Sequence, residues 1–305
     1  MTIDETNAGD VAVIGGSFAG LTAALYLARS RRRVMLFDLG ETRNRAAADA
    51  HGFLGQDGRA PDAIRRAGLA DVLAYPTVTH LADRVTAIRA DGGGFRLSTA
   101  ASGDFAARQV VLAYGMRDVL PPVPGLDACW GRTVIQCPYC HGYELADRPT
   151  GVLMTEPGSV DHALMLVQWT RDILLFANGH AVSGRDRADL AAKGIGVVDG
   201  VVARVEHEGR ALTAVVLEDG RRVAREVLYL VTWSEPASDL AAQLGCAMTD
   251  DPGGPFVTVD EWQATSVRGV FAAGDLARPV YGAVAAAAAG AQAAHGCNHV
   301  LVART

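Results

Sequence analysis

From Asp10 to Gly40 the chain changes its hydrophobic rhythm three times. An apolar β-branched run, VAVI, is followed by the glycine-rich break GGSFAG. Apolar residues then recur at helical spacing through LTAALYLARS, and a second apolar run, VMLF, ends at Asp38. Continuous apolar runs on either side of a 3.6-period stretch predict strand, helix and strand, a βαβ unit of about 30 residues. A comparable rhythm returns near the other end. There VRGVFAAGD predicts a short strand running into Gly274 and Asp275, and an alanine-rich helix follows a loop. The proline-rich LPPVPG (120–125) reads as a linker. GVLMTEPGSVDHALMLVQW then predicts another strand and helix, joined through Glu156-Pro157-Gly158, with DILLF as the next strand. Strands alternating with helices predict an α/β class.

Length and charge narrow the picture. A chain of 305 residues suits two domains better than one, and half of its residues are hydrophobic. With 28 basic against 34 acidic residues, a net of −6, there is no basic surface for a nucleic-acid partner. The opening MTIDETNAGD lacks the charged and apolar regions of a signal peptide, which predicts a cytoplasmic protein. The longest small-apolar run, YGAVAAAAAGAQAAHG, falls short of the ~20 residues a membrane span requires. It reads as a tightly packed helix, and no membrane association is expected.

The turn of the first βαβ unit is Gly15-x-Ser17-x-x-Gly20, and Asp38 follows Gly20 by 38 − 20 = 18 positions. This matches the dinucleotide-binding fingerprint except at its middle glycine, which is Ser17. Gly15 permits the tight turn and Gly20 permits close packing of helix on strand. The helix N-terminus presents N–H groups and a positive dipole end to a pyrophosphate, and Asp38 is placed to accept from a ribose. The Ser17 hydroxyl is small and can itself donate. Arg31, Arg32 and Arg33 complement the C-terminal dipole of the same helix.

The chemistry-bearing stretch is CPYCHGYE, Cys137 to Glu144. The full set of cysteines (Cys129, Cys137, Cys140, Cys246 and Cys297) is odd and sparse, unlike a secreted disulfide framework. A lone CxxC in a reducing compartment binds metal or does redox work. C-x-x-C-H is also a haem-attachment signature, but no export signal accompanies it. A structural zinc site requires about four ligands, and no second CxxC or histidine cluster is present. An inert core pair is disfavoured by Pro138, Tyr139, His141 and Gly142, which form no core pattern. The redox reading remains: one thiolate attacks a sulfur or a cofactor and the other resolves the mixed disulfide. His141, with an unperturbed pKa of about 6.5, suits proton transfer to and from a thiol.

Taken together, VAVIGGSFAG, CPYCHG and GVFAAGD followed by an alanine-rich helix resemble the low-molecular-weight thioredoxin reductases along the whole chain. That resemblance implies two Rossmann-like, three-layer ββα domains, with a discontinuous FAD domain and an inserted pyridine-nucleotide-like domain carrying the CxxC. The corresponding boundaries are 1–120 for the first part of the FAD domain, 121–233 for the insert and 234–305 for the second part. FAD would be held by Gly15, Ser17, Gly20, Asp38, His51, Gly115, Gly274, Asp275, Ala283 and Val284. Cys140 would be the flavin-proximal thiol, Cys137 the interchange thiol, and the active form a homodimer. In such a dimer the resemblance offers His295 a place near a partner subunit's CxxC, with the surface as the alternative.

The sequence departs from that family in the insert. Glu156-Pro157-Gly158 replaces the phosphate-cradling glycine turn, and FANGHAV lacks the paired arginines that recognise NADP. These departures predict that the fold is retained there and that the NADPH site is lost, the alternative being a degenerate site that still binds weakly. His141 also stands where thioredoxin reductases carry an acid. A histidine after such a pair is similar to the gliotoxin, holomycin and romidepsin dithiol oxidases, which make an intramolecular disulfide in a small natural product with O2 as acceptor. The implied substrate is therefore a small-molecule dithiol. A thioredoxin reductase driven by NADPH or another donor, and a non-catalytic flavin-binding thiol sensor, are the alternatives.

Overall fold

The computed structural model describes residues 7–303. Contacts within it divide the chain into two units, each crossed more than once by the polypeptide. Of the described residues, the first comprises 7–45, 61–117 and 234–303; the second comprises 46–60 and 118–233. The stretch 46–60 thus groups with the inserted segment, although in sequence it lies inside the first part of the discontinuous domain.

The first unit is built on β1 (Ala8–Ile14), β2 (Val34–Phe37), β3 (Val78–Leu81), β4 (Val85–Asp91), β5 (Gly94–Thr99) and β6 (Asp104–Leu112). They lie in the order β3-β2-β1-β6-β5-β4, and the late strand Val270–Ala272 also pairs with β6. β1, β2, β3, β6 and that late strand run parallel, whereas β4 and β5 form an antiparallel meander against β6. β1 and β2 are almost wholly apolar and buried, as strands covered on both faces must be. One face is covered by the helices Phe18–Arg29 and Ala283–Ala303. Small residues bring these helices together: a Cβ added at Gly290 would stand 2.1 Å from the Ala19 carbonyl oxygen. The opposite face holds Phe37, Phe95, Phe105 and Val257.

The second unit carries a five-stranded parallel sheet. Its order is Gly196–Val198, Ile173–Phe176, Thr150–Leu153, Val227–Leu230 and Val134–Ile135, flanked by the antiparallel sheet Val202–Glu208, Ala211–Leu217 and Arg222–Ala224. It is a parallel α/β sheet with an antiparallel layer beside it, with its own core around Leu153, Phe176, Leu175 and Leu228. Residues 46–60 are fastened to this unit. Gly131 packs so closely on Ala46 that an added Cβ would lie 2.7 Å from the Ala46 methyl, and the Arg210 guanidinium donates to the Ala46 carbonyl (3.2 Å). Among the described residues no helix is long and apolar enough to cross a membrane.

Candidate active site

The glycine turn after β1 is shaped by contacts that exclude side chains. Gly15 has φ +107°, and a Cβ at Gly20 would stand 1.7 Å from the Gly15 carbonyl oxygen. The helix therefore starts directly on the turn. Ser17 is its N-cap residue, yet its hydroxyl makes no capping hydrogen bond. Asp38, at the end of β2, accepts from the Gly16 N–H (3.1 Å) and the Gly40 N–H (3.0 Å), and its other oxygen pairs with Arg65 (3.2 Å). Gly115, with φ +74°, accepts from the Ala237 N–H through its carbonyl (3.1 Å). Tyr114 beside it accepts from the Ala241 N–H (3.2 Å), and burial pushes its phenol up.

The second motif lies at the end of the strand Val270–Ala272. Gly274 has φ +78°, and Asp275 pairs with the Arg43 guanidinium at 3.0 Å. That guanidinium also donates to Ser234 Oγ (2.9 Å) and lies 3.8 Å over the Tyr281 ring. Arg43 stands 232 residues from Asp275, and nothing in the local sequence around it announces the pairing. Ala283 opens the long C-terminal helix, with the exposed Val284 beside it. Farther along, His295 stacks edge-on against Tyr26 at 5.1 Å.

In the second unit Cys137 and Cys140 form a disulfide, with Cα atoms 5.3 Å apart. Cys137 caps the single helical turn Pro138–His141 and Pro138 occupies its first position, where no N–H is needed. Trp169 supports this turn. Its ring lies edge-on to Tyr139 at 5.4 Å, and a Cβ at Gly142 would meet it at 2.9 Å. Cys129, Cys246 and Cys297 are buried free thiols whose pKa values are all raised by burial, so their reactivity is suppressed. His141 is half-buried, and its pKa is held below the ordinary imidazole range. Burial is the main cause; His51 and Arg132 act in the same direction, and Glu144 and Asp49 oppose them.

His51 brings a second set of groups to this neighbourhood. Its Nδ1 lies 3.5 Å from Asp57 and its Nε2 lies 3.5 Å from Glu144. The family resemblance implies a flavin contact for His51; its ring nitrogens here face the Asp57 and Glu144 carboxylates. No local spacing marks Asp57 and Glu144, because the pairing is made by a loop.

The turn joining Thr150–Leu153 to the helix Ser159–Met165 is closed upon itself. Ser159 Oγ accepts from the N–H groups of Thr155 (3.2 Å) and Glu156 (3.4 Å), and a Cβ at Gly158 would meet the Glu156 carboxylate at 3.0 Å.

Comparison with known proteins fits this geometry. Residues 9–293 match the model of the pyridine nucleotide-disulphide oxidoreductase family. The chain belongs to that family. It is an oxidoreductase with a thioredoxin reductase-like α/β fold. The thioredoxin reductase tcpT of Claviceps purpurea is 32% identical over 287 residues, covering 90% of this chain and 88% of tcpT. The crystal structure of an oxidoreductase from Agrobacterium tumefaciens is 38% identical with a TM-score of 0.92, covering 97% of this chain and 99% of its own. The structure of HlmI is 39% identical, also with a TM-score of 0.92, covering 99% of this chain and 94% of HlmI. The motif resemblance to low-molecular-weight thioredoxin reductases, and within them to the gliotoxin, holomycin and romidepsin branch, is the one these comparisons return.

Proposed function

We propose that the protein is an FAD-dependent thiol:disulfide oxidoreductase that closes an intramolecular disulfide in a small dithiol and passes the electrons to O2. By the family resemblance it acts as a homodimer, and the sequence reading places it in the cytoplasm. The observation that carries the reading is the closed turn at Glu156-Pro157-Gly158 in the unit that bears an intact CxxC. Its Thr155 and Glu156 N–H groups are used by Ser159, Pro157 has no N–H, and Glu156 sets a carboxylate where a pyrophosphate would need donors. Without a nicotinamide donor, a dithiol becomes the source of electrons.

The first unit fits FAD. The tight glycine turn at Gly15 and Gly20, the uncapped helix start at Ser17 and the Asp38 carboxylate suit a pyrophosphate and a ribose, and by the family resemblance Gly115, Gly274, Asp275, Ala283 and Val284 would hold the rest of the cofactor. When bound, FAD accepts two electrons from the cysteine pair and yields them to oxygen. The protein's own residues manage sulfur and protons. Neutral His141 takes the proton of a substrate thiol, and the resulting thiolate attacks Cys137. The Cys137–Cys140 bond breaks with Cys140 leaving as thiolate. The second substrate thiolate then attacks the mixed disulfide, which forms the product S–S bond and frees Cys137.

The printed names of the relatives favour a second reading, reduction of thioredoxin. An oxygen electrode separates the two. A small vicinal dithiol should consume O2 and form hydrogen peroxide in equal amounts, and NADPH with thioredoxin should give no turnover. Rapid NADPH-dependent reduction of thioredoxin would replace the oxidase reading with the reductase one.

A further inference from the structure

Two carboxylates flank the glycine turn of the first unit, and each is paired with an arginine that lies in neither sequence motif. Asp38, which accepts from the Gly16 N–H, pairs with Arg65 of the helix Pro61–Leu73 at 3.2 Å. Asp275 pairs with Arg43 at 3.0 Å. Asp275 belongs to this neighbourhood because Gly274 before it packs on the first turn of the helix Phe18–Arg29, where an added Cβ would stand 2.9 Å from the Ala19 methyl. All four charged side chains are at most 20% exposed, so solvent screens them poorly.

Charge balance decides what such a site can hold. A helix N-terminus suits a diphosphate, but bare carboxylates beside it repel that group, whereas ion pairs do not. Of the two pairs, that of Arg43 is the more elaborately held. Arg65 is shared with Asp62 of its own helix at 3.0 Å. The Arg43 guanidinium instead donates to the Oγ of the buried Ser234 (2.9 Å) and lies 3.8 Å over the Tyr281 ring. Arg43 comes just before the chain leaves this unit at residue 45, and Ser234 is where it returns. Segments far apart in sequence thus hold one cation against the Asp275 carboxylate.

We propose that Arg43 is a positioning residue of the cofactor site, a counter-ion that orients and neutralises Asp275 so that the site accepts a dinucleotide diphosphate. It acts through Asp275, and its charge matters more than its shape. This rests on the FAD reading above.

The test measures FAD affinity by fluorescence titration of the full-length protein stripped of flavin. At low salt Arg43→Gln should weaken binding about tenfold, through repulsion by a carboxylate left without its counter-ion. The loss should shrink to about threefold in about 1 M KCl, where the Debye length is about 3 Å. Added to Asp275→Asn, which removes the negative charge, Arg43→Gln should cost less than about threefold. Arg43→Lys keeps the charge without the guanidinium fork, and should bind within about threefold of wild type. A loss of equal size at both salts, or with and without the Asp275 carboxylate, contradicts the proposal. So does Arg43→Lys binding as weakly as Arg43→Gln, which would make Arg43 a brace of the fold. Should Arg43→Gln fail to fold, Arg43→Lys against wild type and the double variant against Asp275→Asn decide, and a tenfold loss in either overturns the proposal. A wild-type protein that takes up no FAD removes the FAD reading and this inference together. Contrary results in variants of a wild type that does bind FAD overturn this inference alone.

Discussion

At the scale of single residues the protein keeps two histidines neutral by burial, with different consequences. In the proposed reaction His141 is the base: its lowered pKa keeps the imidazole unprotonated through neutral pH, so the acid limb of thiol oxidation should fall below 6.5. His141→Ala should slow reduction of the disulfide by dithiol at pH 7 by about 100-fold, the lower end of what a general base contributes. An unchanged single-turnover rate would remove it from the mechanism. His162 lies under the second sheet with neither ring nitrogen hydrogen-bonded, edge-on to Tyr229, and burial lowers its pKa to about 4. Unfolded, it binds a proton near 6.5; folded, it does so only near 4. Between these values the unfolded state holds more protons, so stability falls as pH drops from 6.5 towards 4. The full difference amounts to on the order of 3 kcal/mol. Melting curves over this range should flatten in His162→Phe, and an unaltered pH dependence would place the acid sensitivity elsewhere.

At the scale of elements, close approach does what hydrogen bonds do elsewhere. The helix Phe18–Arg29 seats on the glycine turn and on the C-terminal helix only because Gly20 and Gly290 lack a Cβ. In Gly290→Ala the added methyl meets the Ala19 backbone and the helices must separate. A loss of roughly 1–3 kcal/mol is expected, visible as a lower melting temperature together with reduced flavin content, because Ala19 and Gly20 start the turn's helix. Unchanged stability would show that the helices can slide apart freely. These elements were legible in advance, since strand, turn and helix of a βαβ unit are contiguous and each leaves its own period. The CxxC was legible for the same reason. The pairing of Arg43 with Asp275 and of His51 with Glu144 was not, because residues separated by a long stretch of chain leave no mark on local spacing. The grouping of 46–60 with the inserted unit escaped for a related reason. It depends on Gly131 admitting Ala46 and on Arg210 reaching its carbonyl, contacts made by tertiary packing alone.

At the scale of the whole molecule, the account concerns the direction of electron flow. Each unit carries an α/β sheet with parallel strands and a strand-turn-helix connection, but the two turns differ physically. That of the first unit is glycine-shaped and uncapped by Ser17; in that of the second Ser159 takes the Thr155 and Glu156 N–H groups. A carboxylate about 4 Å from a phosphate charge repels it by ~1 to 4 kcal/mol at dielectrics of 80 to 20, in addition to the donors lost. Nicotinamide affinity should therefore be lower by orders of magnitude, and a dithiol should supply the electrons. The most direct measurement is an anaerobic spectrophotometric titration of the flavin-loaded protein. A small vicinal dithiol should bleach the flavin within seconds, millimolar NADPH should leave it yellow, and readmitted air should restore the colour with formation of hydrogen peroxide. Rapid bleaching by NADPH, with dithiol inert, would contradict the account.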